Sequence, residues 1–164
     1  MHPSLLIRAA SAADRPALWA ILEPIIRAGE TYALPPDMSE ADAIAYWTGT
    51  GRAVFVAEAD GVVVGTYFLR GNQLGGGDHV ANAAYATDPS QRGRGIARRM
   101  AEHSLEEARR RGFLAMQFNF VVSSNESAVH LWQSLGFEVV GRLPGAFRHP
   151  RLGLVDALVM SRKL

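Results

Sequence analysis

Four arginines and two glycines fall within eight residues, Arg92 to Arg99, in the stretch ATDPSQRGRGIARRM over residues 86–100. A strand-like run precedes this stretch and a helical pattern follows it. The first N–H groups of such a helix lack partners, and its dipole favours negative charge there. Gly93 and Gly95 let a phosphate approach the backbone closely. The stretch matches neither G-x-x-x-x-G-K-[ST] nor the full dinucleotide pattern G-x-G-x-x-G, because Arg98 stands where the last glycine belongs. It reads Arg92-x-x-Gly95-x-Ala97. Taken alone, it reads as a phosphate cradle, with a glycine turn capped by solvated arginines as the alternative.

Other polar residues sit where they need a reason. Asn82 and Asn119 interrupt two apolar strand-like runs, and an amide inside a strand is either a satisfied core group or a ligand group. Asn125 opens a helical pattern whose apolar stripe carries Trp132, which is either core packing or a pocket wall. Tyr85 is the phenol nearest the glycine loop by strand position. Glu23, Glu30, Asp78 and His79 are candidate bases, and none is singled out by its context. Arg109 to Arg111 read as cations favouring a helix C-terminus, and His149 and Asp156 as turn or interface residues. The histidines at 2, 79, 103, 130 and 149 show no ligand spacing with carboxylates, so no metal site is expected.

Bulk properties narrow the classes. Seventeen Lys and Arg balance sixteen Asp and Glu, a net charge of +1, which argues against a general nucleic-acid binder. The absence of cysteine excludes disulfides, thiolate metal sites and a cysteine nucleophile. The start MHPSLLIRAASAADRP has neither the basic region nor the apolar core of a signal peptide, and no apolar run reaches the ~20 residues of a bilayer span. A cytoplasmic location without membrane attachment is the expectation. The 164 residues suffice for one domain with a hydrophobic core, and a single domain over 1–164 is expected.

The elements that must position these residues are legible as periodicities. Residues 4–9 read as a first strand, and Ser11 to Asp14 as a capping box leading into a helix that Pro24 should kink or end. The loop RAGETYALPPDMS carries an exposed-looking Tyr32, and Ser39-x-x-Asp42 caps a short helix through Trp47. Residues 53–58 and 62–69 flank Asp60-Gly61 as a hairpin. After the loop 71–78 come a strand over 79–87, the glycine stretch, and a helix ending at Gly112. A strand over 114–122 places Leu114, Met116, Phe118 and Phe120 on one face, with Ala115, Gln117 and Asn119 on the other. A helix over 125–135, a strand over 137–143, a loop over 144–153 and a final strand over 154–163 complete a mixed α/β domain.

Arg92-x-x-Gly95-x-Ala97 resembles the R/Q-x-x-G-x-G/A motif with which GCN5-related N-acetyltransferases hold the pyrophosphate of acetyl-coenzyme A. Downstream, Asn125-x-x-Ala128-x-x-Leu131-Trp132-x-x-x-Gly136-Phe137 resembles that family's N-x-x-A-x-x-L-Y-x-x-x-G-F element. The resemblance runs from Leu6 to Leu164. It implies a central, mostly antiparallel sheet split into a V between two parallel strands and flanked by helices. It further implies acetyl-CoA as acetyl donor, no metal, a small-molecule amine as acceptor and a homodimer. Backbone groups of Ala84, Tyr85 and Ala86 would follow the pantetheine. Arg92, Gly93, Arg94, Gly95, Ile96 and Ala97 would hold the pyrophosphate, and Asn125 the far arm.

One departure matters. Trp132 stands where many members carry the tyrosine that protonates the leaving thiolate, and indole cannot act as an acid. The stretch MQFNFVVSSNESAVHLWQSLGF also resembles the yeast N-acetyltransferases of proline analogues such as azetidine-2-carboxylate. By that resemblance Asn82 and Asn119 meet the substrate amine and carboxylate, and the Phe120 N–H helps bind the carboxylate. Asn125 then stabilises the thiolate end, while Tyr85 and Trp132 shape the pocket. Asn119, Asn125 and Asn82 are thus the expected catalytic residues. The alternatives are a protein or peptide acetyltransferase, and an acetyl-CoA-binding sensor without catalysis.

Overall fold

A computed structural model describes residues 4–164, so His2 lies outside the described residues. Among these, the chain order is β1 (Leu5–Ala9), α1 (Arg15–Ala28), α2 (Glu40–Trp47), β2 (Ala53–Ala59), β3 (Val62–Gly71) and β4 (Val80–Thr87). Then follow α3 (Ile96–Arg110), β5 (Ala115–Val122), α4 (Glu126–Ser134), β6 (Glu138–His149) and β7 (Gly153–Lys163). One sheet takes all the strands in the order β1-β2-β3-β4-β5-β7-β6, and only β4 and β5 run parallel. The mixed α/β class and the split parallel pair agree with the reading of the sequence.

Each face of the sheet carries its own core. Phe55, Leu69, Met116 and Phe118 pack against Met100, Leu105 and Trp132 of α3 and α4. Val56, Phe68 and Ala86 pack against Leu18, Ile21, Ile44 and Trp47 of α1 and α2. The alternation of Phe55 and Val56 between two cores is the period of a strand covered on both sides. The second core is pinned by Thr66, whose Oγ1 accepts from Trp47 Nε1 at 3.0 Å and donates to the Phe55 carbonyl at 2.8 Å. On the other face, Gly65 seats the start of α3. A Cβ there would come within 2.9 Å of Met100 Cε and 3.1 Å of Ile96 Cγ2.

The capping box at Ser11 belongs to a larger polar cluster. Arg8 donates to both carboxylate oxygens of Asp14 at 2.9 Å, and the Ser11 N–H donates to Asp14 at 2.7 Å. The Arg8 hydrogen bonds foremost, against the effect of burial, hold the Asp14 carboxyl down at about 2. A carboxyl depressed on folding contributes stability that is complete above its unfolded value and is lost as the pH falls through its folded one. Asp14→Asn is therefore expected to lower the urea midpoint at neutral pH. It should also flatten the decline of wild-type stability between about pH 4 and pH 2, read from urea melts across that range.

Three local expectations are corrected. Of the two outcomes expected at Pro24, a kink or an end, the end does not occur: α1 continues to Ala28 and stops at Gly29 in the left-handed region. The loop expected over 144–153 is mostly strand, because β6 runs on to His149 and only 150–152 turn. Leu143 pairs with Ala157 and Phe147 with Val155, so Pro144 to Ala146 bulge out. The Asp156 carboxylate takes up one backbone donor there, accepting from the Gly145 N–H at 2.9 Å, and also pairs with the Arg142 guanidinium at 2.8 Å. Finally, β5 does not alternate to its end. Phe118 pairs with Met160 and Val121 with Leu158, which leaves one extra residue at Asn119–Phe120. Val121 therefore joins Met116 and Phe118 in the core, and Phe120 leaves that face.

Candidate functional site

β4 and β5 pair at Val80–Ala115 and Ala81–Met116 and then separate. At the apex of this fork Asn82, buried, donates from Nδ2 to the Gln117 carbonyl at 2.8 Å. A side chain thus bridges the strands where the backbone ladder stops. The bulge at Asn119–Phe120 turns β5 further from its partner. Beyond the apex opens a cleft of about 910 Å³, walled by β4, β5, the glycine loop, the start of α4 and the loop after α1.

The fork's inner edge follows from ladder phase. Asn72 N donates to Val80 O at 2.8 Å and Asp88 N to Val64 O at 2.9 Å. Hydrogen-bonded pairs alternate in an antiparallel ladder, so Asn82, Ala84 and Ala86 spend their backbone groups on β3. Ala83 and Tyr85 turn theirs towards the fork. This corrects the expectation for Ala84 and Ala86: they line the cleft, but only Tyr85 of that trio offers it backbone groups.

At the far end lies the glycine loop. Gly93 and Gly95 have φ of 78° and 75°, and among the described residues a Cβ on either would meet nothing within 4 Å. Their backbone conformation, rather than crowding, calls for glycine. Seven successive N–H groups, Arg92 to Arg98, have no protein acceptor among the described residues, the first helical bond being Arg99 N to Gly95 O. None of Arg92, Arg94, Arg98 and Arg99 forms an ion pair among these residues. Open space, unspent donors and unpaired cations fit a phosphate-bearing ligand. Arg92, Gly93, Gly95, Ile96 and Ala97 line the cleft; Arg94 does not.

The structure brings together the remaining residues expected at the site. Asn119 donates to Asn72 Oδ1 at 2.7 Å and accepts from Gln117 Nε2 at 2.9 Å, leaving one donor and one acceptor position spare. Asn125 caps α4 without using its side chain as a cap, and its Oδ1 accepts only a 3.3 Å contact from Ser127. Phe120 lines the cleft beside the bulge. Trp132, 8% exposed, packs its ring 4.7 Å from Phe118 and 4.9 Å from Tyr85. The Tyr85 phenol donates to Ser104 Oγ at 2.6 Å, since that hydroxyl's proton goes to Ala101 O. Burial raises its pKa. Tyr85 is thus a packing residue by its ring and a cleft residue by its backbone.

Several residues reach the cleft through partners distant in the chain, which no local signal shows. Tyr32, expected to be exposed, folds back to donate its phenol to the Tyr85 carbonyl and meets Trp47 edge-on at 6.2 Å. Burial raises its pKa, so the proton stays on. Arg70 lines the cleft without an ion pair among the described residues, its Nε 3.4 Å from Asn82 Oδ1. Glu30, on the loop after α1, pairs at 2.6 Å with Arg151 in the β6–β7 turn. His149 is buried, lines the cleft and accepts at Nδ1 from the N–H groups of Arg151 and Leu152, so a neutral ring carries its proton on Nε2. The described residues hold no cluster of three metal-ligating side chains, and none of their helices is long and apolar enough to cross a membrane.

Comparison with known proteins follows this geometry. The sequence model of the Acetyltransferase (GNAT) family matches residues 19–137. N-acetyltransferase aca1 of Schizosaccharomyces pombe is 33% identical over 98 residues, covering 59% of this chain and 47% of that protein. The L-amino acid N-acyltransferase MnaT of Escherichia coli is 33% identical over 98 residues, covering 59% and 56%. The matched region therefore spans about half the length of these relatives. A solved structure of a GCN5-related N-acetyltransferase from Kribbella flavida superposes with a TM-score of 0.92 at 42% identity, covering 98% of each chain.

Proposed function

Because the chain belongs to the GNAT acetyltransferase family, we propose that it moves the acetyl group of acetyl-CoA to the amine of a small molecule, an amino acid or proline-like analogue. The observation that carries this reading is the row of unspent N–H groups from Arg92 to Arg98 at one end of a split sheet. When bound, acetyl-CoA supplies an activated acyl carbon. The glycine loop holds its pyrophosphate, and the Tyr85 N–H orients its arm along β4, the Tyr85 carbonyl being held by the Tyr32 phenol. Asn119 and the bulged Phe120 N–H position the acceptor, whose amine must be neutral to attack. Arg70 gives the cleft a cation with no carboxylate partner among the described residues, which suits an acceptor bearing a carboxylate.

The Glu30–Arg151 pair ties two loops across the cleft, an arrangement that favours small acceptors over polypeptides. By family resemblance the enzyme works as a homodimer, and from its length and composition each chain is one domain in the cytoplasm. A hundredfold excess of acetyl-CoA over its Kd is expected to raise the melting temperature by about 5–10 °C. Thiol release should accompany one or more members of an amino-acid panel. Asn119→Ala should lower kcat/KM on the best acceptor about tenfold, the loss of one well-placed hydrogen bond. Unchanged turnover in both Asn119→Ala and Asn82→Ala would remove the amide site from the mechanism. Stabilisation without thiol release from any amine would favour the sensor.

A further inference from the structure

We propose that the Ser124 hydroxyl binds the pantetheine arm of acetyl-CoA, donating a hydrogen bond to one of its amide carbonyls; this rests on the cofactor reading above. Ser124 lies between β5 and α4 and lines the cleft beside Asn125. Its Oγ is buried without a hydrogen-bond partner, the one side-chain nitrogen or oxygen among the described residues in that condition. A buried hydroxyl left unpaired is a cost to the fold, and native chains rarely carry one without a use.

The surroundings explain why no protein group answers it. Ser123 N donates to Asp156 O at 2.9 Å, and Asn125 N to Val122 O at 3.0 Å. Asn125 O accepts from Val129 N at 3.1 Å, and Asn125 Oδ1 from Ser127 Oγ at 3.3 Å. These neighbouring groups bond elsewhere, and the Ser124 hydroxyl is left over beside the cleft. A serine hydroxyl moves between staggered positions about χ1 without disturbing the backbone, so it can turn to a ligand lying in the fork. Its chemistry selects the part of the ligand. The charged end already has the arginines and the N–H row of the glycine loop, whereas a neutral O–H suits a neutral carbonyl acceptor.

The proposal separates the free protein from the bound one, because a hydroxyl that stabilises only the complex does nothing for the free fold. Titration calorimetry with coenzyme A and melting of the ligand-free chains, on wild type and Ser124→Ala, make the test. The variant is expected to bind about three- to tenfold more weakly, while its free form melts at the wild-type temperature or above. Equal affinity in the two chains overturns this assignment and leaves the family's cofactor in place. A free variant that melts below wild type also overturns it, since the hydroxyl would then serve the fold. Failure of the wild type to bind coenzyme A overturns the cofactor reading and this assignment with it.

Discussion

Gly95→Val is expected to weaken coenzyme A binding at least tenfold while leaving most of the free protein's stability intact. Gly95 is the N-cap of α3 at φ 75°, ψ 10°. A left-handed conformation costs an ordinary L-residue about 1–2 kcal/mol, and a β-branched one more. Among the described residues nothing lies within 4 Å of the added Cβ, so crowding contributes no part of the effect. The free chain can relieve the strain by relaxing the loop, whereas the bound chain needs the loop in place for its N–H groups to converge. The loss therefore falls on binding, and calorimetry beside a thermal melt separates the two terms. A variant that binds as tightly as wild type would show that the arginines, and not the backbone, hold the anion.

Trp132→Ala should carry the largest stability effect at the site, a loss of about 3–5 kcal/mol in urea unfolding. The indole is 8% exposed and lies against Tyr85, Phe118 and Phe137, whose ring is 6.1 Å away. Emptying that position opens a cavity beneath the wall that carries the Tyr85 backbone. Trp132→Phe keeps an aromatic ring in the cluster and should lose less stability than the alanine variant. It should also hold turnover within about threefold, since no proton passes through the indole. An alanine variant with the wild-type urea midpoint would make Trp132 a pocket wall alone.

What could be read beforehand was local. The Asp60-Gly61 turn has φ of 50° and 80° at its two residues, the primed geometry that its composition announces. The glycine loop and the α4 element are contiguous motifs whose spacing survives without knowledge of the fold. What escaped depends on distant partners. Glu30 and Arg151 are 121 residues apart, and Tyr32 reaches 53 residues along the chain to Tyr85. Ladder phase, which turns Tyr85 to the fork and Ala84 away from it, depends on where β3 pairs. Pro144 and Gly145 looked like loop residues because composition cannot foretell that the Asp156 carboxylate will take up the Gly145 N–H.

The bulge on β5 has a consequence for kinship and descent. Asn119 and Phe120 face the cleft because this strand holds one residue more than its partner can match. A relative without that residue would need a one-position gap here, and an ungapped alignment would set Val121 and Val122 against residues of the opposite face. A single codon gained or lost thus separates a plain core strand from one that turns two residues to the cleft wall. The lining of this cleft can therefore change by a one-residue insertion as readily as by a substitution.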